Sequence, residues 1–511
     1  MNEGQRQEAA AALAAGGARQ AEGRLDEAAR LFQQAVTLAP DDPIGWALLA
    51  GCVLTARRPD AALQVCDAGL KRLPANPSLL SAKARVLTSL SRVAEAADLY
   101  RQALAGDAGS AEARLGLALL AVEAGDWDGA EAMAAPLLAE TPVRGDVEWL
   151  GARIALGRSD FETARARAAR VLASPGLQPD QRAEASLLLG EALDGLGRPA
   201  EAFAAFSDGK AMLRAFYAER AAGRESETGK FRRLAAWFRG ADPMPWRAAP
   251  AASATSPARG HAFLVGFPRS GTTLLEQALA GHPDLVSLEE APTLAAAYAE
   301  FMTSDDGLER LARLSPAEAE RWRAVYWREV AAGGVDPKSR VLLDKAPAGT
   351  LYLPLIARLF PDARVLFALR DPRDVTLSCF RHSFQMNALT YAFTDLAETA
   401  ACYAACMAMA EVYRSVLPLR VVDVRHEALV EDFERELTRI VGFLDLPMTP
   451  AMLDVGGTAA RRVVRTPSAS QVRAGLSRAG LGRWRAYASQ LAPVMGVLAP
   501  WVDRFGYGGE G

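Results

Sequence analysis

The chain has 511 residues, 50% of them hydrophobic and 23% charged, with a formal net charge of -3. That length exceeds one ordinary core and predicts two or three domains of a soluble globular protein. The near-neutral balance excludes a general attraction to nucleic acid or to an anionic membrane, so any anion site has to be local.

The first residues, MNEGQRQEAA, lead into no apolar core and do not resemble a secretory signal. No stretch approaches the roughly 20 apolar residues that a bilayer span needs. Both features predict a cytoplasmic protein with no membrane partner. Five cysteines are scattered along the chain, and Cys402 and Cys406 could share a helix face. Without metal-binding companions they read as small apolar packing side chains in a reducing compartment.

Residues 1–215 are rich in helix formers and carry a period. Ala28, Ala62, Ala96, Ala130 and Ala164 follow one another at 34 residues, and Ala202 comes 38 after the last. The extra four residues are expected in an extended loop at 174–181. The period, the alanine at a fixed helix position, and Pro40 and Pro74 after the second helix resemble the tetratricopeptide repeat. That resemblance implies an all-α solenoid, in which a small side chain lets paired helices approach and each pair hides its apolar stripe on the next. Its concave face would suit a peptide, another protein or a second copy of the chain. Residues 216–260 read as a helical connector followed by a proline, alanine and serine linker at 241–260.

From residue 261 to 511 the pattern changes. HAFLVGF (261–267), RVLLDK (340–345), ARVLFALR (363–370) and LRVVDVRHE (419–427) are short apolar runs suited to strands covered on both faces. Helical stretches separate them, which predicts a parallel α/β sheet with its ligand crevice beyond the strands' carboxyl ends.

Two segments fall at those ends. In GFPRSGTT (266–273) Gly266 closes a strand, Gly271 suits a conformation closed to other residues, and Thr272 and Thr273 start a helix. Backbone N–H groups and hydroxyls there would cradle an anion. The segment keeps both glycines of an ATP-binding loop but has Thr272 in place of its lysine, and its cation is Arg269. In LRDPRDVTLSCF (369–380) Arg370 ends a strand and Ser378 lies one or two helical turns on, so the two could grip a second phosphate. Arg373 and Asp374 are expected to pair with each other.

Together FPRSGTTLLEQALAGHPDLVSLEE and LRDPRDVTLSCF resemble the sulfotransferase superfamily over roughly residues 260–500. The resemblance implies a P-loop-like parallel-sheet domain that uses 3'-phosphoadenosine 5'-phosphosulfate, PAPS, with no metal. It implies that Arg269, Ser270, Gly271, Thr272 and Thr273 surround the 5'-phosphosulfate and that Arg370 and Ser378 contact the 3'-phosphate. Glu290 takes the position of the carboxylate base, with Glu289 as its rival, and Lys345 that of a lysine beside the transferring group. PRSGTTL and the following HPD and EE are similar to protein-tyrosine sulfotransferases, which points toward peptidyl tyrosine while leaving other peptide or small-molecule hydroxyls open. Residues 465–487 resemble a segment that folds over the nucleotide and would bring Ser470 and Arg473 to the 3'-phosphate. His261, His282, His382 and His426 show no metal-ligand spacing. The competing expectations are a nucleotide-dependent phosphotransferase and a repeat scaffold without chemistry.

Overall fold

The computed structural model describes residues 3–247, 256–460, 477–478 and 480–509. Ser470, Arg473 and part of the expected linker lie outside the described residues. The chain divides into two compact units, Met1–Gly176 and Leu177–Gly511. Among the described residues no helix is long and apolar enough to cross a membrane.

The first unit is all-α. Its helices are α1 (Glu3–Ala21), α2 (Leu25–Leu38), α3 (Pro43–Thr55), α4 (Pro59–Arg72), α5 (Pro77–Ser89), α6 (Val93–Gly106), α7 (Ala111–Ala124), α8 (Trp127–Leu138), α9 (Gly145–Gly157) and α10 (Phe161–Ala173). The periodic alanines Ala28, Ala62, Ala96, Ala130 and Ala164 each stand on the first turn of an even-numbered helix and are at most 1% exposed. A second column of small residues faces back from the odd-numbered helices: Gly16, Ala50, Ala84, Ala118 and Ala152 are all buried. At Gly16 a Cβ would come within 2.6 Å of the Phe32 ring, so the paired backbones are closer than any larger residue allows. The turn inside each pair uses a left-handed residue two positions before the second helix: Gly23, Arg57, Ser91, Gly125 and Ser159 have φ of 75°, 58°, 61°, 75° and 60°.

The second unit opens with a hairpin of the same design, α11 (Pro179–Gly195) and α12 (Pro199–Ala221), with Ala202 buried and Gly197 at φ 70°. The extra four residues are not in a longer loop. They lengthen α11 to 17 residues, against 13 in α9. Pro179 is its first residue, where a missing N–H costs nothing, and the Gln181 side chain accepts from the Gln178 N–H at 3.1 Å.

Beyond residue 259 lies a five-stranded parallel sheet in the order β2-β3-β1-β4-β5. Its strands are β1 (Gly260–Gly266), β2 (Leu285–Glu289), β3 (Val341–Lys345), β4 (Arg364–Leu369) and β5 (Arg420–Arg425). The register sets Leu264 of β1 beside Lys345 and Leu366. Phe263, Val265, Leu342, Val365 and Phe367 enter one core, while Ala262, Leu264, Leu343, Leu366 and Ala368 enter the other. Helices therefore cover both faces, and the carboxyl edge of the sheet is left for ligands. The architecture is an all-α region of paired helices followed by a parallel-sheet α/β domain, the fold class expected from the sequence. Strand β2 was not among the sequence-predicted strands. Its five residues include a serine, follow the His-Pro turn directly and pair only with the distant β3.

Candidate active site

At the end of β1 a Cβ on Gly266 would come 2.7 Å from the Ala368 carbonyl oxygen of β4, so the loop can leave the sheet here only from a glycine. The Gly266 carbonyl accepts from Thr350 Oγ1 at 2.6 Å, and Ser270 N–H donates to the Phe267 carbonyl at 3.2 Å. Gly271 has φ 90°, and a Cβ there would collide with the His426 imidazole. Arg269 has φ 69°, a left-handed conformation that costs a non-glycine residue about 1–2 kcal/mol. Ser270, Thr272 and Thr273 are buried where helix Thr272–Leu279 begins without a side-chain cap. The positive end of the helix dipole faces the same turn.

Arg269 meets the second segment directly. Its Nε donates to Ser378 Oγ at 3.0 Å on helix Pro372–Arg381, and Arg370 Nη1 donates to the Arg269 carbonyl at 3.2 Å. Residues expected at the two ends of a donor molecule thus form one cluster. Burial is the main cause that brings Arg269 down to about 10, with Arg370 and Arg381 adding to it against an opposing effect from Cys379. His382, which drew no role from sequence, is part of the cluster. Its Nδ1 lies 2.9 Å from the Ser378 carbonyl and its Nε2 3.1 Å from Arg269 Nη2, which assigns the proton to Nδ1 and the acceptor role to Nε2. Burial, then Arg269 and Arg381, hold it well below the usual histidine range. Its only sequence signal was a four-residue spacing from Ser378.

Arg373 and Asp374 do not pair with each other. Arg373 pairs with Asp371 at 2.7 Å and stacks on Trp484, while Asp374 accepts from the N–H groups of Gly482 and Trp484 at 2.8 Å each. Asp371 takes Arg373 because it caps the same helix start, and that leaves Asp374 to anchor the returning chain. Behind this helix stands the α11–α12 hairpin. Asp194 forms ion pairs with both Arg381 and Arg483 and accepts from Tyr487 Oη at 2.6 Å. Lys210, brought down to about 8 by burial, donates to the His382 carbonyl at 2.7 Å.

A carboxylate–lysine cluster occupies the ends of β2 and β3. Lys345 has no solvent exposure, and its Nζ lies 2.8 Å from Glu290 Oε1, 3.2 Å from Glu289 Oε1 and 3.5 Å from Glu276 Oε2. Burial disfavours its charge, but the carboxylates of Glu276, Glu290 and Glu289 outweigh that and hold its pKa above the usual lysine value. Glu290 has φ 49°, fixed by its N–H donating to the Lys345 carbonyl at 2.8 Å. Its side chain is 46% exposed, against 17% for Glu289, so Glu290 is the one that a solvent-borne hydroxyl can reach. Glu276, wholly buried and accepting from Ser287 Oγ at 2.9 Å, escaped sequence reasoning because a glutamate in a helix reads as a solvated position.

The neighbouring Asp344 ties down the loop behind Glu290. Its Oδ2 accepts from Thr293 Oγ1 at 2.8 Å and from Tyr326 Oη at 2.9 Å, while Tyr326 also meets His261 Nε2 at 2.7 Å. Burial pushes Asp344 up to about 6, against the opposing effect of those two hydroxyls. Among the described residues no group of three or more His, Cys, Asp or Glu side chains could hold a metal ion.

Two open hollows are lined by other residues. One of about 1110 Å³, lined by Glu300, Phe301, Arg310 and Trp322 among others, contains none of the candidate residues, and its Arg310 is already paired with Glu300 and Asp306. In the first unit a groove of about 250 Å³ runs past Gln20 of α1, Leu48 of α3, Arg85 of α5 and Glu112 of α7.

Comparison with known proteins finds both kinds of structure in the chain. Residues 262–450 match the sulfotransferase family, and residues 19–86, 87–154 and 150–212 match tetratricopeptide repeat families. An uncharacterized protein of Aquifex aeolicus is 28% identical over 255 residues, 47% of this chain and 32% of its own length. Protein-tyrosine sulfotransferase 1 of Danio rerio is 27% identical over 265 residues, 48% of this chain and 71% of its own. The chain thus spans about a third of the first relative's length and less than three quarters of the second's. The solved sulfotransferase domain of the Synechococcus PCC 7002 olefin synthase is 25% identical, with 46% of this chain and 90% of that one covered and a TM-score of 0.33. The chain therefore combines a tetratricopeptide region with a distinct sulfotransferase-like domain, distantly homologous to protein-tyrosine sulfotransferases at low identity.

Proposed function

We propose that the chain is a PAPS-dependent sulfotransferase that moves a sulfuryl group to an acceptor hydroxyl and leaves adenosine 3',5'-bisphosphate. The observation that carries this reading is the convergence, at one sheet edge, of the Ser270–Thr273 anion turn, the Arg269–Ser378 pair and the Lys345–Glu290 pair. The turn and the hydroxyls of Ser270, Thr272 and Thr273 would hold the 5'-phosphosulfate, and Arg370 and Ser378 the 3'-phosphate. Ser470 and Arg473 keep their assignment to the 3'-phosphate on resemblance alone.

In the transfer step the acceptor oxygen bonds to sulfur as the bond from sulfur to the 5'-phosphate oxygen breaks. Glu290 receives the hydroxyl proton. Lys345 offsets the charge that develops on the sulfuryl oxygens, and Arg269 the charge on the departing phosphate. Every one of these tasks falls to a protein side chain, so the chemistry calls for no metal. Peptidyl tyrosine as acceptor is supported by the name of the Danio rerio relative and by the groove of the repeat unit, which gives a peptide somewhere to lie. A phenol also surrenders its proton more readily than an alkyl alcohol.

The test is incubation of the full chain with sulfur-labelled PAPS and a mixture of peptides and metabolites, followed by mass identification of labelled product. Label on peptidyl tyrosine supports the whole reading, and label on another hydroxyl keeps the reaction but changes the acceptor. Folded protein that retains neither PAPS nor adenosine 3',5'-bisphosphate in calorimetry overturns it, and turnover of ATP with magnesium instead would favour a phosphotransferase.

A further inference from the structure

The three carboxylates around Lys345 sit at different depths. Glu276 is fully buried, Glu289 is 17% exposed and Glu290 46%, yet the most exposed of them is the closest to the ammonium. Lys345 thus faces three carboxylates. Glu276 belongs to helix Thr272–Leu279, one turn beyond the anion loop, and Glu289 and Glu290 to the end of β2. The neighbour of Lys345 on β1 is the apolar Leu264.

The two reactive groups are engaged with each other. Glu290 Oε1 is taken up by Lys345, and the ammonium is closed off from solvent. A sulfuryl group carries anionic oxygens, and it can reach the lysine only by competing with a carboxylate already there. The competitor that gives way is the one solvent can receive, Glu290. Glu276 cannot leave: it has no exposure, and Ser287 of β2 holds its other oxygen at 2.9 Å.

We propose that Glu276 is the positioning residue for an exchange of partners at Lys345: it stays on the ammonium from the buried side while the lysine passes from Glu290 to the sulfuryl oxygens of the donor. The exchange releases Glu290 Oε1 to the acceptor hydroxyl, so donor binding precedes full use of the base. This rests on the sulfotransferase reading and adds an order of events to it.

Glu276→Gln keeps the shape and the Ser287 hydrogen bond and removes the charge. In the full chain it should leave affinity for adenosine 3',5'-bisphosphate, which has no sulfuryl group, within about twofold, because the ammonium is not used there. The same variant should lower kcat at least tenfold on the order of what one positioned charge contributes, and shift the alkaline limb of the kcat profile to lower pH as Lys345 loses a counter-charge. Glu276→Asp, which restores the charge, should recover part of kcat, and it serves as the readout should the glutamine variant unfold. A readout independent of turnover is carbon NMR of labelled lysine. The chain has only Lys71, Lys83, Lys210, Lys230, Lys338 and Lys345, so the Lys345 signal can be assigned with Lys345→Arg, and it should titrate at lower pH in Glu276→Gln. An unchanged Lys345 titration overturns the proposal, as does a loss of nucleotide affinity equal to the loss of kcat, which would make Glu276 a prop for the loop fold. Failure of the wild-type chain to bind the nucleotide would sink the sulfotransferase reading instead, and the lysine titration tells the two failures apart.

Discussion

Both units hold non-glycine residues in left-handed backbone, and they do so for different reasons. In the repeat unit Arg57, Ser91 and Ser159 occupy the turn inside a helical pair, the same place that Gly23 and Gly125 fill in other pairs. In the α/β domain Arg269 and Glu290 occupy the ends of β1 and β2 with their side chains in the candidate site. Glycine would serve the backbone at all five positions. At the first three it would delete nothing that works, whereas at the last two it would remove the guanidinium and the carboxylate. Backbone strain marks a working residue only where relief would cost a contact, and the repeat turns are the control that shows this.

The comparison can be broken from either side. The largest expected effect is at Glu290: exchange for Gln should lower kcat about 10³-fold, or roughly 4 kcal/mol, with little change in nucleotide affinity. Wild-type turnover by that variant would remove it as the base.

Next comes the tether behind it. Burial lifts Asp344 from 3.8 to about 6, so the folded chain holds that proton more tightly than the unfolded one. Its contribution is fully present below pH about 4 and is lost as pH rises through about 6, a change of up to about 3 kcal/mol at ~1.4 kcal/mol per pH unit. Urea unfolding at several pH values should therefore show Asp344→Asn gaining on the wild type between pH 4 and 7, and two parallel curves would refute the assignment.

Arg269→Ala should weaken nucleotide binding by 10- to 100-fold, about 1.5–3 kcal/mol for lost charge-assisted hydrogen bonds, measured by calorimetry. A change under twofold would take it out of the donor cluster and leave its φ without a functional reason. The smallest effect is the control. Ser91→Gly should raise stability by about 1 kcal/mol in thermal unfolding and leave turnover untouched; altered turnover would mean the repeat turns are not the neutral case.

The repeat unit was legible because its constraint is local and periodic. Only a small residue fits at Ala28 or Ala62, so the sequence writes the same letter every 34 positions. The anion loop was legible for a similar reason, since Gly266 and Gly271 meet the Ala368 carbonyl and the His426 ring at backbone distance. Strand β2 was not, because LVSLE has neither the length nor the apolar run of a buried strand, and its pairing with Val341–Lys345 spans more than fifty residues. Glu276 and His382 were missed on the same ground. What buries the first is Lys345, far along the chain, and what orients the second is Arg269 from another strand's end. The reach of α11 is hidden because Pro179 reads as a loop residue in the sequence, whereas in the fold it starts the helix.

Asp194 carries one last implication, for anyone who would rebuild the molecule. Its grip on Arg381, Arg483 and Tyr487 makes the α11–α12 hairpin a bracket of the α/β domain despite its repeat-like sequence. The natural seam for exchanging the first unit therefore lies at Gly176. A chimera spliced after α12 would carry off half of an ion cluster and leave two arginines stranded in the portion it meant to keep.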